Sequence, residues 1–129
     1  MVVRVCNSAY VVIELLQRLA HKKGCGVLST IHQPSSAIFA LFDRVVLMAD
    51  GMITYGGPNT YLHTFFEEQQ KAIPYRYNPA DWVLHLMQTE TNETLRSFRD
   101  SWRSLDAKLA FGKIVRSSDS CLIGTALHI

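Results

Sequence analysis

No stretch of this sequence is long and apolar enough to cross a bilayer as a helix. Its longest unbroken apolar run, Ala37–Phe42, falls far short of the roughly 20 residues that a span needs. Met1–Val5 is too short and too lightly charged for a secretory leader, so the chain by itself is expected to be soluble or peripheral. Cysteine is scarce: Cys6, Cys25 and Cys121 are odd in number and far apart. That excludes a disulfide framework and thiolate metal spacing, and a reducing compartment is the simplest reading. His21, His63, His85 and His128 also stand at no metal-binding spacing. Charge of one sign is missing too. A formal net charge of +2, with no basic run and no basic helix face, gives no reason to expect a nucleic-acid partner. Nor is there a glycine-rich phosphate loop ending in Gly-Lys-Ser/Thr. The one Gly-Lys pair, Gly112-Lys113, lacks both the upstream glycine and the following hydroxyl.

The pattern that is present alternates helices and strands within 129 residues, enough for one domain with a modest core. Ala9, Val12, Ile13, Leu16, Leu19 and Ala20 fall on one face of a helix, with Glu14 and Arg18 paired four apart on the other. Asn7 or Ser8 can cap its start and Gly24 fits its stop. Gly26–Ile31 reads as a buried strand, Ser35–Leu41 as a brief helix and Arg44–Ala49 as a second buried strand. Asp50-Gly51 then turns the chain into a hairpin partner, Met52–Tyr55. Gly56-Gly57-Pro58 breaks the pattern, and Asn59 can cap a helix burying Leu62, Phe65 and Phe66. Asn78-Pro79-Ala80-Asp81 is a strong helix start, with a cap residue, proline at the first helical position and a carboxylate three after the cap. A last helix from about Asn92 to Lys108 carries Leu95, Phe98, Trp102, Leu105 and Leu109 in a narrow seam suited to one partner helix. From Gly112 onward the weak patterning predicts disorder or poor packing. Three short strands leave a sheet edge or face uncovered, an association hazard.

His32 is the leading candidate for chemistry. It ends an apolar strand, an X-Pro step bends the chain, and Ser35-Ser36 open the short helix. A strand end beside a turn is where an α/β protein places a group that must touch a ligand. A neutral imidazole there can donate from one nitrogen and accept on the other. The bland alternative is a histidine that caps the strand end. Gln33 and Ser35-Ser36 read as structural, an extended residue before proline and then helix caps. Asp43 is expected to tie a loop, and neither Cys6 nor Cys25 has an activating cluster. The Leu95/Phe98/Trp102/Leu105 stripe is more often core than docking site.

Three motifs, in order, carry a resemblance: Thr30-Ile31-His32-Gln33-Pro34-Ser35-Ser36-Ala37-Ile38-Phe39-Ala40-Leu41-Phe42-Asp43, Tyr55-Gly56-Gly57-Pro58, and Tyr77-Asn78-Pro79-Ala80-Asp81-Trp82. Together they resemble the G subfamily of ATP-binding cassette transporters, over roughly Ser8 to Trp102. The resemblance implies an α/β class, a partial P-loop NTPase (ABC cassette) fold comprising a C-terminal half-sheet, flanking helices and a helical C-terminal extension. Residues 1–7 would be an unmatched junction and 8–88 the C-terminal part of a nucleotide-binding domain. Residues 89–111 would extend toward a membrane domain, and 112–129 would be an unmatched tail.

By that resemblance His32 corresponds to the switch histidine that contacts the γ-phosphate and helps hold attacking water, with Gln33 a weaker nucleotide contact. ATP and Mg²⁺ would be the ligands of the intact protein, and the opposing cassette and the transmembrane domain its partners. The intact protein would sit at the cytoplasmic face of a membrane, the isolated chain in the cytoplasm. Arg4, Val5 and Cys6 depart from the Leu-Asp-Ser loop expected before the first helix. The phosphate loop, the signature loop and the acidic strand that positions Mg²⁺ are not found, so the chain alone is expected to bind neither ATP nor Mg²⁺ and to hydrolyse nothing. Three readings follow. The chain is a fragment of a transporter's ATP-binding subunit, a non-enzymatic protein that binds a full-length transporter, or a degenerate gene product.

Overall fold

The computed structural model describes residues 2–109 and 123–128, with side chains over 8–108. Helix α1 spans Val2–Lys23. It starts ahead of Asn7 and Ser8, so neither caps it, and the expected junction at residues 1–7 is helical from Val2 onward. No glycine or proline interrupts those positions, and nothing there stops a helix from propagating. The side chains of residues 2–7, Arg4, Val5 and Cys6 among them, lie outside the described set. The helix ends as predicted at Gly24, whose φ of 65° lets the Cys25 amide donate back to the Ala20 carbonyl at 3.2 Å.

Four strands form one sheet in the order β1-β4-β2-β3: β1 Val27–Thr30, β2 Arg44–Ala49, β3 Met52–Pro58 and β4 Ile123–His128. Strands β2 and β3 are antiparallel, and Asp50 (φ 50°) and Gly51 (φ 71°) make the two-residue left-handed turn that suits the twist of a hairpin. Strand β3 does not stop at Tyr55. Gly57 pairs with Val45 and Pro58 with Arg44, because β3 lies at the sheet edge, where a missing N–H is tolerated. Gly57 stays a glycine because a Cβ there would run into the indole of Trp102. Strand β4 runs parallel to both β1 and β2. The expectation of disorder from Gly112 onward therefore gives way at Ile123–His128, where the gap between two strands offers backbone partners on both sides. Residues 110–122 and 129, also part of that expectation, lie outside the described residues.

The main core joins the β2–β3 face to three helices: α3 Leu62–Glu68, entered through a 3-10 turn at Asn59–Tyr61, α4 Pro79–Thr89 and α5 Asn92–Leu109. Val45, Leu47, Tyr55, Leu62, Phe65, Phe66, Val83, Phe98 and Trp102 are buried in it. Tyr55 sits 4.6 Å from Trp102 and 5.1 Å from Phe65 between ring centroids, and Phe66 meets Phe98 edge-on at 5.6 Å. The seam of α5 thus packs on β3 and the α3 aromatics rather than on one partner helix. A second cluster, Ile13, Ile38 and Phe42, joins α1 to the short helix α2, Ser36–Phe39. Ile31, next to His32, packs against both clusters.

Candidate functional site

His32 lies between β1 and α2, on the wall of an open cleft of about 860 Å³. The other wall is the start and outer face of α4: Tyr77, Asn78, Asp81, Leu84, His85 and Gln88. Asp81, Leu84, His85 and Gln88 recur at helical spacing, so one face of α4 confronts the histidine loop.

The loop is held from both ends by asparagines. Asn78 caps α4, its side-chain oxygen accepting the Ala80 amide at 3.1 Å, while its nitrogen donates to the Pro34 carbonyl at 2.9 Å. Asn59 donates to the carbonyls of Phe39 (2.8 Å) and Phe42 (3.1 Å), and its own amide donates to the Asp43 carbonyl at 2.9 Å. It is a clamp on the far end of α2 rather than the helix cap that its position suggested. Ser35 caps α2 as predicted, accepting the Ile38 amide at 3.3 Å. Asp43 ties a loop in two ways, through that carbonyl and through a carboxylate 4.0 Å from His21 Nε2.

Gln33 differs from its expected extended form. Its φ is 44°, in the left-handed region that costs a non-glycine residue on the order of 1–3 kcal/mol. Pro34 is buried and its carbonyl is fixed by Asn78, so the tertiary contacts just after Gln33 hold the bend that local preference resists. The bend brings His32 and Gln33, both exposed, to the cleft wall beside Ser35.

Two of the sequence candidates, His32 and Gln33, are thus brought together on one cleft. Tyr77, Asp81, His85 and Gln88 join them there, which sequence reasoning had not assigned to a site. The helical repeat of Asp81, His85 and Gln88 was the available signal. Trp82 lies behind them, its ring 5.8 Å from Tyr77 and 6.2 Å from His85. Among the described residues no three histidine, cysteine or carboxylate side chains group as a metal site.

The described lining offers imidazole, amide and hydroxyl groups and one carboxylate, with neither lysine nor arginine and no glycine-rich turn. It can hydrogen-bond one edge of a phosphate. It does not fit a complete nucleoside triphosphate, whose several negative charges need cations and backbone amides around them.

Comparison with known proteins adds lineage to this geometry. The family model described as ABC-2 type transporter matches residues 32–102, from the cleft histidine to the indole against Gly57. The chain is 33% identical to Protein white of Drosophila melanogaster over 115 residues, covering 89% of this chain and 16% of that protein. It is 37% identical to ABC transporter G family member 2 of Arabidopsis thaliana over 106 residues, 78% of this chain and 14% of that one. Protein scarlet of Drosophila melanogaster matches at 32% over 122 residues, 95% of this chain and 18% of its own length. The chain therefore spans less than a fifth of the length of these relatives. Among its described residues no helix is long and apolar enough to cross a membrane.

Proposed function

The chain belongs to the ABC-2 type transporter family, with G-family ABC transporters as its relatives, and from that premise we propose that it is a piece of such a transporter's ATP-binding cassette. The observation that carries the reading is the mixed sheet whose parallel strand β1 delivers His32 to a polar cleft. A partial P-loop NTPase fold accounts for a strand-end histidine followed by a sharp turn, the position from which an α/β sheet presents a residue to its ligand. The matched family model describes the membrane domain of these transporters. Placement in the cassette instead rests on physical chemistry. An open sheet with edge strands β1 and β3 leaves backbone groups that lipid cannot satisfy, so this fold belongs on the aqueous side of a membrane protein.

In the intact protein His32 would meet the terminal phosphate of ATP, Gln33 would help form the wall beside it, and the remaining phosphate and Mg²⁺ contacts would come from residues outside this chain. No step of hydrolysis is assigned to these residues alone. A second reading, a non-enzymatic protein that binds a full-length transporter, is favoured by one feature. Val11, Val12, Leu15 and Leu19 form an apolar stripe along α1, each between 39% and 58% exposed.

The test is the mass, in native cells, of the species detected by an antibody to Asn78–Trp102. A band several-fold heavier than this chain supports the cassette, and a band at the chain's own mass that co-purifies with a transporter supports the binder. Calorimetric titration of the purified chain with Mg-ATP is expected to show no saturable heat. A saturable isotherm would refute the incomplete site.

A further inference from the structure

Strand β4 holds an unusual place. It enters the interior of the sheet, between β1 and β2, yet its sequence partners are far away. Val27 pairs with Ile123 and Arg44 with Gly124, across most of the chain. Because β4 is parallel to both neighbours, no hairpin can tie it to either of them. On one side it pairs with Val27–Thr30 and on the other with Arg44–Met48. Among the described residues β1 pairs with no other strand, whereas β2 keeps β3 on its far edge. Removal of β4 would leave β1 without a ladder and two strand edges facing each other across a gap one strand wide. Such a gap is a template for an extended chain.

We propose that the gap between β1 and β2 is a strand-acceptor site whose occupant is exchangeable, and that Ile123–His128 of a second copy can fill it to give a strand-exchanged dimer. The connection permits this. Residues 110–122 link α5 to β4, and 13 residues reach at most about 45 Å when extended. The incoming strand makes the same backbone bonds in trans as in cis, so the exchange is nearly neutral in contacts and is governed by concentration. A tether of this length gives the chain's own strand an effective concentration on the order of millimolar. The closed monomer therefore prevails in dilute solution, and exchanged dimers form when chains refold together at comparable concentration. This inference stands apart from any role of His32.

The full chain is refolded from denaturant at about 5 µM and at about 1 mM, and each product is sized by light scattering at its own refolding concentration. The expected result is monomer from the first and a substantial dimer fraction from the second. Gly124 pairs with both Leu28 and Arg44, and Gly124→Pro removes an amide near the start of the inserted strand, where both ladders run. That variant is expected to lose the dimer and to bind an added peptide of residues 119–129, carrying Ser in place of Cys121, at least about ten-fold more tightly than the wild-type chain does. A dimer that survives Gly124→Pro, or a peptide bound equally by both chains, overturns the proposal. Hydrogen exchange on the wild-type monomer gives a check that no variant can spoil. Protection of the Val27–Thr30 amides is expected, and free exchange across all of them would mean that the gap has no occupant to exchange.

Discussion

The two ends of the Asn78 amide serve different elements, the oxygen closing the first turn of α4 and the nitrogen reaching across to the Pro34 carbonyl. Asn78→Ala removes both, a cap and a side-chain-to-backbone bond of about 1 kcal/mol each. Asn78→Asp keeps an acceptor for the Ala80 amide and loses the donor. Urea unfolding is expected to show a loss of about 2 kcal/mol for the alanine variant and about half of it for the aspartate. Equal losses would mean that the tie to the histidine loop contributes nothing. Tyr55 poses a different residue-scale question. Its hydroxyl donates to the Pro58 carbonyl at 2.6 Å, and burial pushes its pKa well above the usual tyrosine range, against the opposing influence of Arg44. A raised pKa favours the protonated folded state. The stability it carries is therefore complete below about pH 10 and is lost as pH rises beyond that toward the folded value. The urea midpoint is expected to fall above about pH 10, and Tyr55→Phe, though less stable at neutral pH, is expected to show a shallower alkaline decline. Parallel declines in the two proteins would remove Tyr55 as the cause.

At the scale of elements, α1 shows how far periodicity can be trusted. Its six apolar positions suggested an inward face that included Val12 and Leu19, but these are 54% and 39% exposed. The helix instead presents Ile13 and Ala20, with Ala9, Tyr10 and Leu16 half-buried, and Gln17 donates to the Leu41 carbonyl at 2.9 Å. The cover available is small, chiefly Ile38, Phe42 and Val27, so it occupies only part of the apolar surface. Ile13→Ala is expected to cost about 2–4 kcal/mol, whereas Leu15→Lys on the outward stripe should cost under about 0.5 kcal/mol. Thermal or urea unfolding of the two variants checks the helix rotation, and a reversed order would place Leu15 inside. Signals carried within a few residues were legible in advance: the Asp50-Gly51 turn, the Gly24 stop, the Ser35 and Asn78 caps, and β2 to the residue. The extension of β3 through Gly56-Gly57-Pro58 was not, because it depends on an edge position and on the approach of Trp102. The same holds for Gln33 and for the second cleft wall, which are set by approaches far along the chain, such as that of Asn78 to Pro34.

Across the whole molecule, contacts divide sharply by distance along the chain. The β2–β3 hairpin and the cluster of Tyr55, Phe65, Phe66, Phe98 and Trp102 draw on one continuous region from Arg44 to Leu109. The ladders of β4 draw on both ends, and loop closure must be met before they form. The hairpin and α5 can therefore assemble without β4, while β1 can acquire its ladder only after β4 has arrived. Refolding should separate these events. Fluorescence from Trp82 and Trp102, both in contact with the main core, is expected to recover first. Protection of the Val27–Thr30 amides in pulsed hydrogen exchange should follow in a slower phase, one that lengthens when Gly124→Pro weakens β4. Simultaneous recovery of both signals would show one cooperative nucleus that already includes β4. The slow phase has a consequence for the cleft as well. Ile31, one residue before His32, packs into both clusters, so the histidine loop gains its final position only when the sheet behind it is complete. His32 nuclear magnetic resonance signals are accordingly expected to reach their native positions with the β1 amides and not with the tryptophan fluorescence. Early settling of His32 would mean that the Asn59 and Asn78 clamps alone are enough to shape the cleft.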